Sequence, residues 1–465
     1  MLLRFLGAAR TVTGSMHLIE PDRGPKILLE AGLFQGRRAE TYERNRNPGL
    51  DPTQIPYVIL SHAHLDHCGN LPLLYRLGFR GHVFCTPATR DLASILLRDS
   101  AHLQERDVEF VNRRRSAQGL PPVEPLYRLE EAEAVLEHFV TVPYGRPFSP
   151  DPGFGFAFGD AGHILGSAHV LLEVRRRGRP IRIGFSGDLG RYGLPILRDP
   201  QPMPEVDYLI LESTYGGQQH EPLQRAREEL AAVIRRTAAR GGKVLIPAFS
   251  VGRTQEILYE LNVLFREGAL PDIPVFLDSP LAIDATAIYK AHPECFDQET
   301  RALLHRDPDP FGFARLTYVV EAEQSKRLNE LRVPAVIIAA SGMMEGGRIL
   351  HHLRHHIEDP RTTILVVGFC AEHTLCRRLV EGHKEVNIFG EPFRVRAEVV
   401  VISAYSAHAG HDELLRWTEP LLGNRLKAIF LVHGEYSRQE ALAEALRTRG
   451  ARRVEIPERG QAYTI

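Results

Sequence analysis

The nine residues SHAHLDHCG constrain this chain more than any other stretch, because they set four metal-ligand side chains, His62, His64, Asp66 and His67, within six positions directly after the apolar run YVIL. A strand that ends in such a loop anchors the backbone and leaves the imidazoles and the carboxylate to turn to two sides. Zinc accepts both ligand types at about 2.0–2.2 Å, so His62 and His64 are expected to face one ion and Asp66 and His67 a second. The alternative, a histidine-rich surface loop, does not explain the spacing.

Three further residues complete a count. DAGHILGSAH carries His163 and FSGDLG carries Asp188, each in a glycine-bounded turn at the end of an apolar run, and LVHGE places His433 after another strand near the C-terminus. Taken singly, each is ordinary turn chemistry. Together the seven serve two Zn2+ ions: His62, His64 and His163 for one, Asp66, His67 and His433 for the other, with Asp188 bridging and room for a shared hydroxide. Open coordination of this kind marks catalytic rather than structural zinc.

The chain has 465 residues, about three times a typical domain, which predicts two domains with separate cores. Up to about Tyr215, short apolar runs such as LLRFLG, PKILLEAG, HVFCTPA, HVLLEV, IRIGFSGD and DYLILEST read as strands, and one long helical stretch follows ATRDLASILL. Beyond Tyr215 the texture becomes strand, turn and long helix: KVLIPAFSVGRTQEILYELNVLF, PVFLDSPLAIDATAIYKA, AVIIAASGMMEGGRILHHL and TILVVGFCAEHTLCRRLV. That alternation predicts a Rossmann-like parallel sheet. Near Val399 apolar strands resume in EVVVISAYSAH and LKAIFLVHGE and again finish in histidines. The α/β chain is therefore expected to carry an inserted second domain, with 1–214 as the first part of the outer domain, 215–400 as the insertion and 401–465 as the completion.

The motif His62, His64, Asp66, His67 resembles the hallmark of the metallo-β-lactamase superfamily, and LESTYGG with Glu212, SAYSAHAG with His408 and LVHGE with His433 resemble its β-CASP nuclease branch. The resemblance covers essentially the whole chain. It implies an αββα sandwich with an inserted β-CASP domain and a ribonuclease acting on single-stranded RNA, endo- or 5′-exonucleolytic, by a dizinc-bridging hydroxide. It also implies that His408 is the general acid, that Glu212 orients or charges it, and, through His433, that RNA rather than DNA is the substrate. No KH-type or long C-terminal extension follows, as in the compact bacterial forms. Two departures stand out. Glu30 occupies the position where the family has Asp, one methylene longer, and is read either as a second-shell support for a ligand histidine or as a plain strand-end Glu. Ala409 and Gly410 follow His408 where an Asp is usual.

Other polar residues carry weaker readings. Arg253 and Arg348 lie in small-residue turns leading into helices, where they are expected to hold an RNA backbone, with ordinary turn chemistry as the rival reading. Ser406 is read as a substrate contact or a cap. His351, His352, His355 and His356 have i, i+4 spacing but no carboxylate support for a metal.

Composition excludes more than it selects. A net charge of −1 gives no global field to gather nucleic acid, so local groups must hold it. Five cysteines, an odd number without CxxC, argue against a disulfide framework and fit a reducing cytoplasm, and without an 18-residue apolar run no membrane partner is expected. A homodimer is left open. Two rival functions remain: a small-molecule thioester or lactam hydrolase, which does not explain Glu212 and His408, and a non-catalytic RNA-binding subunit, which does not explain why all seven ligand positions are filled.

Overall fold

Strand polarity decides where the candidate ligands meet. The computed structural model describes residues 1–36, 38–175, 179–368, 370–371, 373–423 and 425–465, so Phe369 and Glu372 of the expected unit TILVVGFCAEHTLCRRLV lie outside the described residues. The chain divides into two compact units. One comprises Met1–Tyr192, Asp199–Gln219 and His408–Ile465, the other Gly193–Arg198 and His220–Ala407.

The first unit holds two seven-stranded sheets. One runs Ala462–Thr464, Leu2–Gly7, Met16–Glu20, Ile27–Leu29, Tyr57–Ile59, His82–Cys85, Phe139–Thr141. The other runs Val454–Glu455, Ala428–Val432, Tyr208–Glu212, Ile181–Phe185, Ala168–Val174, Phe154–Asp160, Phe148–Asp151. Side chains alternate across a strand, and the second sheet uses both faces. Ile210, Phe430 and Val432 join Leu3, Phe5, Leu29 and Phe84 of the first sheet in one core. Their neighbours Leu209, Leu211, Ile429 and Leu431 pack on Leu414, Leu415 and Trp417 of the helix His411–Thr418 and on Leu442 and Leu446 of the helix Tyr436–Thr448. The result is the sandwich that the sequence implied, with apolar runs buried on both sides.

Ile181–Phe185, Tyr208–Glu212 and Ala428–Val432 are mutually parallel. Phe154–Asp160 points the same way, because it is antiparallel to Ala168–Val174, which is antiparallel to Ile181–Phe185. Their carboxyl ends therefore share one edge of the sheet. His163, Asp188, Glu212 and His433 all lie at or just beyond those ends.

In the second unit six strands form a sheet in which every pairing is parallel, in the order Leu316–Tyr318, Val275–Leu277, Ala335–Ala339, Lys243–Pro247, Thr363–Val366, Glu398–Val401. Leu245, Ile337, Ile364 and Val366 pack under Ile349 and Leu353 of the helix Ile349–His356 and under Leu375 and Leu379 of the helix Leu375–Val380. Val244, Ile246, Val336 and Ile338 are also buried, so both faces are covered. The strand of EVVVISAYSAH thus belongs to this sheet, on Thr363–Val366, and not to the sandwich. An apolar run does not encode which sheet edge it will join.

The long helix is Pro87–Ala117, started by Thr86, whose hydroxyl accepts from Thr89 N. Contrary to the expectation of unpaired cysteines, Cys370 and Cys376 form a disulfide, at a separation of six that a search for CxxC passes over. Cys68, Cys85 and Cys295 are buried thiols. Among the described residues no helix is long and apolar enough to cross a membrane.

Candidate metal centre and its acid

The loop after Tyr57–Ile59 is pinned on both sides by backbone bonds: Ala31 N donates to His67 O at 2.7 Å, Leu33 N to Leu65 O at 2.8 Å and Ser15 N to Asp66 O at 2.8 Å. Gly32 permits this contact, since a Cβ there would stand 1.7 Å from Asp66 O. His433 and Glu30 hold left-handed backbone (φ 52° and 65°), unusual for residues with side chains. His433 N donates to Ala8 O at 2.8 Å and Glu30 N to Ile59 O at 3.1 Å, which helps lock both in place.

All seven predicted ligands come together. His64 Nδ1 faces His62 Nε2 at 3.1 Å and His163 Nε2 at 3.3 Å, and Asp188 Oδ2 lies 3.5 Å from His62 Nε2 and 3.6 Å from His163 Nε2. In the second set His67 Nε2 faces His433 Nε2 at 3.1 Å, Asp66 Oδ2 stands 3.4 Å from His433 Nε2, and Asp188 Oδ2 is 3.3 Å from His67 Nε2. Ligands at 2.0–2.1 Å from a tetrahedral zinc are about 3.3–3.4 Å apart. The measured separations are close to that edge length, and Asp188 Oδ2 keeps it toward both sets. Asp188 Oδ1 is buried and accepts no hydrogen bond, so this donor set fits a cation.

The electrostatics favour ligation. Burial lowers His62 and takes His64 down to about 4, keeping those rings neutral. Burial works against the Asp188 and Asp66 carboxylates, but the surrounding histidines outweigh it and hold both ionised. At His67 burial is overcome by Asp188 and Asp66, which raise it, so proton and metal compete for that ring.

The residues that orient these rings were partly missed. Glu30 Oε2 accepts from His67 Nδ1 at 2.8 Å and Glu30 Oε1 accepts from Ser61 N at 2.7 Å, so the longer side chain still reaches a ligand histidine. Ser61 Oγ lies 2.9 Å from His62 Nδ1, and Thr214 Oγ1 lies 3.0 Å from His433 Nδ1. Ser61 and Thr214 adjoin motif residues in the chain, and that adjacency was the available signal.

His408 enters from a loop tied to the sheet edge by Ala409 N donating to Leu189 O at 2.7 Å. Its Nδ1 is 3.2 Å from Glu212 Oε1 and 4.0 Å from Asp188 Oδ2. Glu212 is fully buried and fixed by Leu189 N at 2.8 Å on Oε1 and Thr214 N at 3.2 Å on Oε2. Burial opposes charge on His408, yet Glu212, Asp188 and Asp66 push its pKa up to about 9. In place of an Asp after His408, Glu413 braces the turn, accepting from Gly410 N at 2.7 Å and Tyr192 N at 2.9 Å.

The remaining candidates lie in the second unit. Arg253 is only 6% exposed and pairs with Glu256, one turn along its own helix. Arg348 bonds Asp278 Oδ1 at 2.6 Å and the carbonyls of Val319 and Val320. Both guanidinium groups are drawn inward by buried carboxylates, which need countercharge, rather than held out as forks for a phosphate. Ser406 is buried at 4% exposure and closes the turn Ser403–Tyr405 through its backbone. His352 joins Asp278 at 2.7 Å and Asn329 at 2.8 Å, and none of His351, His352, His355 and His356 belongs to a group that could hold a metal among the described residues.

A sandwich with a buried cluster of histidines and carboxylates at its strand ends fits a metal-dependent hydrolase, and sequence comparison agrees. Residues 9–247 match the metallo-β-lactamase superfamily, 254–379 the Beta-Casp domain, and 392–457 the Zn-dependent metallo-hydrolase RNA specificity domain. The chain belongs to the β-CASP branch of the metallo-β-lactamase superfamily. It is 39% identical over 448 residues to ribonuclease TTHA0252 of Thermus thermophilus, covering 96% of this chain and 95% of that one. It is 30% identical to transcription termination factor FttA of Methanocaldococcus jannaschii, covering 97% of this chain and 70% of that one. An RNase J-like protein of the same archaeon is 31% identical, covering 96% and 95%.

Proposed function

We propose that this chain is a two-zinc ribonuclease that hydrolyses phosphodiester bonds of single-stranded RNA, with His408 as general acid. The observation that carries the reading is the His408–Glu212 pair, 3.2 Å apart, set beside Asp188. A bare dizinc hydrolase needs no such pair, whereas cleaving a phosphodiester requires a proton for the departing sugar oxygen. The relatives called ribonuclease and RNase J-like support RNA as the substrate. So does the match to an RNA specificity domain, which spans both His408 and His433.

His62, His64 and His163 would hold one zinc and Asp66, His67 and His433 the other, with Asp188 common to both. When bound, the zincs polarise the phosphoryl oxygens and lower the pKa of a water to about 7. His408 keeps a proton at Nε2 while its Nδ1 faces Glu212, and it gives that proton to the leaving oxygen. Glu212, immobilised by Leu189 N and Thr214 N, keeps the imidazolium charged and aimed. Arg253 pairs with Glu256, Arg348 pairs with Asp278 and Ser406 is buried, so the proposed chemistry does not draw on them.

The test is to incubate zinc-loaded protein with an end-labelled single-stranded RNA and the matching DNA, beside Asp188→Ala. Cutting of RNA alone, absent in the variant, is the expected result, and the ladder then distinguishes endo- from exonucleolytic action. No cutting of either by protein that binds two zincs would transfer the site to a small-molecule substrate.

A further inference from the structure

We infer that Thr214 is a positioning residue that fixes the tautomer of His433 and so presents its Nε2 lone pair to the second metal set. This inference rests on the two-zinc reading. His433 ends its strand in left-handed backbone, with Nε2 3.1 Å from His67 Nε2 and 3.4 Å from Asp66 Oδ2. A neutral imidazole has one N–H, and only the other nitrogen can bind a metal. The ring is useful there only if its proton sits on Nδ1.

Thr214 supplies the acceptor for that proton. Its Oγ1 lies 3.0 Å from His433 Nδ1 and 3.1 Å from His433 O. A carbonyl can only accept, so the hydroxyl proton goes to His433 O and an oxygen lone pair is left for Nδ1–H. Asp188 Oδ1, at 3.5 Å from the same nitrogen, is the more distant alternative. Without the hydroxyl, the ring has less to hold its proton outside, and a proton on Nε2 would point at His67 and the site.

The same device recurs around the cluster. Ser61 Oγ faces Nδ1 of His62 and Glu30 Oε2 faces Nδ1 of His67, so three Nε2 ligands each have an oxygen behind them. His64 differs from these three in entering through Nδ1. Thr214, like Ser61 with its backbone N–H on Glu30 Oε1, has a second task. Its backbone N–H holds Oε2 of Glu212, whose Oε1 faces His408. One short turn thus braces a ligand of the metals at one end and the acid at the other. Thr214→Val keeps the backbone bond and the volume while removing only the hydroxyl, which separates the two tasks.

Zinc retention against a graded chelator, in wild type, Thr214→Val and Thr214→Ser, tests the inference without reference to turnover. Wild type is expected to bind two zincs per chain. Thr214→Val should weaken one of the two by about 10–100-fold, and Thr214→Ser should stay within about threefold of wild type. Equal zinc affinity in Thr214→Val and wild type would overturn the inference while leaving the metal reading intact, as would an equal loss in both variants. Absence of zinc from wild type would instead overturn the metal reading and this inference with it. If Thr214→Val does not fold, the ring-nitrogen resonances of His433 in metal-free wild type decide: protonated Nδ1 supports the assignment and protonated Nε2 overturns it.

Discussion

Histidine and aspartate form a buried cluster in each of the two compact units, and the two clusters are chemical opposites. In the first, ring nitrogens face one another at 3.1 and 3.3 Å around Asp188, one of whose oxygens accepts nothing. In the second, Asp278 receives His352, Ser325 and Arg348, and the other nitrogen of His352 meets Asn329 Oδ1. There each of these groups meets a partner, which is how a protein closes a polar network in its interior. A count of histidines would rank the run His351 to His356 beside the run His62 to His67. What separates a metal centre from scaffold is unmatched lone pairs, and matching is a property of the fold.

The comparison can be broken at either cluster. Asp188→Ala removes the carboxylate common to both ligand sets, so RNA cleavage should fall by at least about 1,000-fold, given the several kcal/mol that metals contribute to such chemistry. Bound zinc should fall with it, and a variant that keeps both zincs and its activity would remove Asp188 from the centre. At the other cluster, Asp278→Ala leaves Arg348 and His352 without their buried partner. Thermal or urea unfolding should register a loss of about 3–5 kcal/mol, with no change in zinc per chain. A loss of zinc in that variant would erase the distinction between scaffold and site.

His408→Ala should reduce kcat by about 100-fold while zinc content and melting temperature hold, as expected of the proposed acid, which would touch substrate without anchoring a metal. Near-normal turnover would reassign the acid. Glu30→Gln keeps the length of the side chain but weakens its hold on His67 Nδ1, and titration should show zinc affinity down by about tenfold.

The smallest effect is a pH dependence. Burial alone would raise the Asp278 carboxyl, but hydrogen bonds from His352, Ser325 and Arg348 hold it below the ordinary carboxylate range. A folded-state pKa below the unfolded value of about 3.9 means that the stabilisation is complete above that pH and is lost as pH falls through the folded value. Melting temperatures of zinc-free wild type should therefore drop more steeply as pH falls below about 4 than those of Asp278→Asn. Parallel curves would show that Asp278 is not held ionised.

The clustering of these histidines and aspartates was legible because its signal is local. His62, His64, Asp66 and His67 share one loop, and His163, Asp188 and His433 each follow an apolar run ending in glycine or a turn. Most strands were readable through apolar runs, while the sandwich was implied by the family resemblance; Phe154–Asp160, whose phenylalanines alternate with glycine and alanine, was passed over. Arg253 and Arg348 have internal partners that the sequence did not show. A guanidinium in a glycine-bounded turn looks available until the fold places Glu256 or Asp278 against it.

The sequence by itself determined which side chains could bind metal and that strands would deliver them, since ligand chemistry and hydrophobic periodicity are written in residue type and spacing. Tertiary structure alone decided the rest. Parallel pairing brought three strand ends to one edge and two antiparallel pairings added a fourth, which placed Asp188 within 3.3–3.6 Å of His67, His62 and His163. It also set Glu212 against His408, 196 residues away, and Thr214 against His433, 219 residues away. Such distant contacts carry no local signature, because the free energy that makes them is gained only when the core between the sheets has closed.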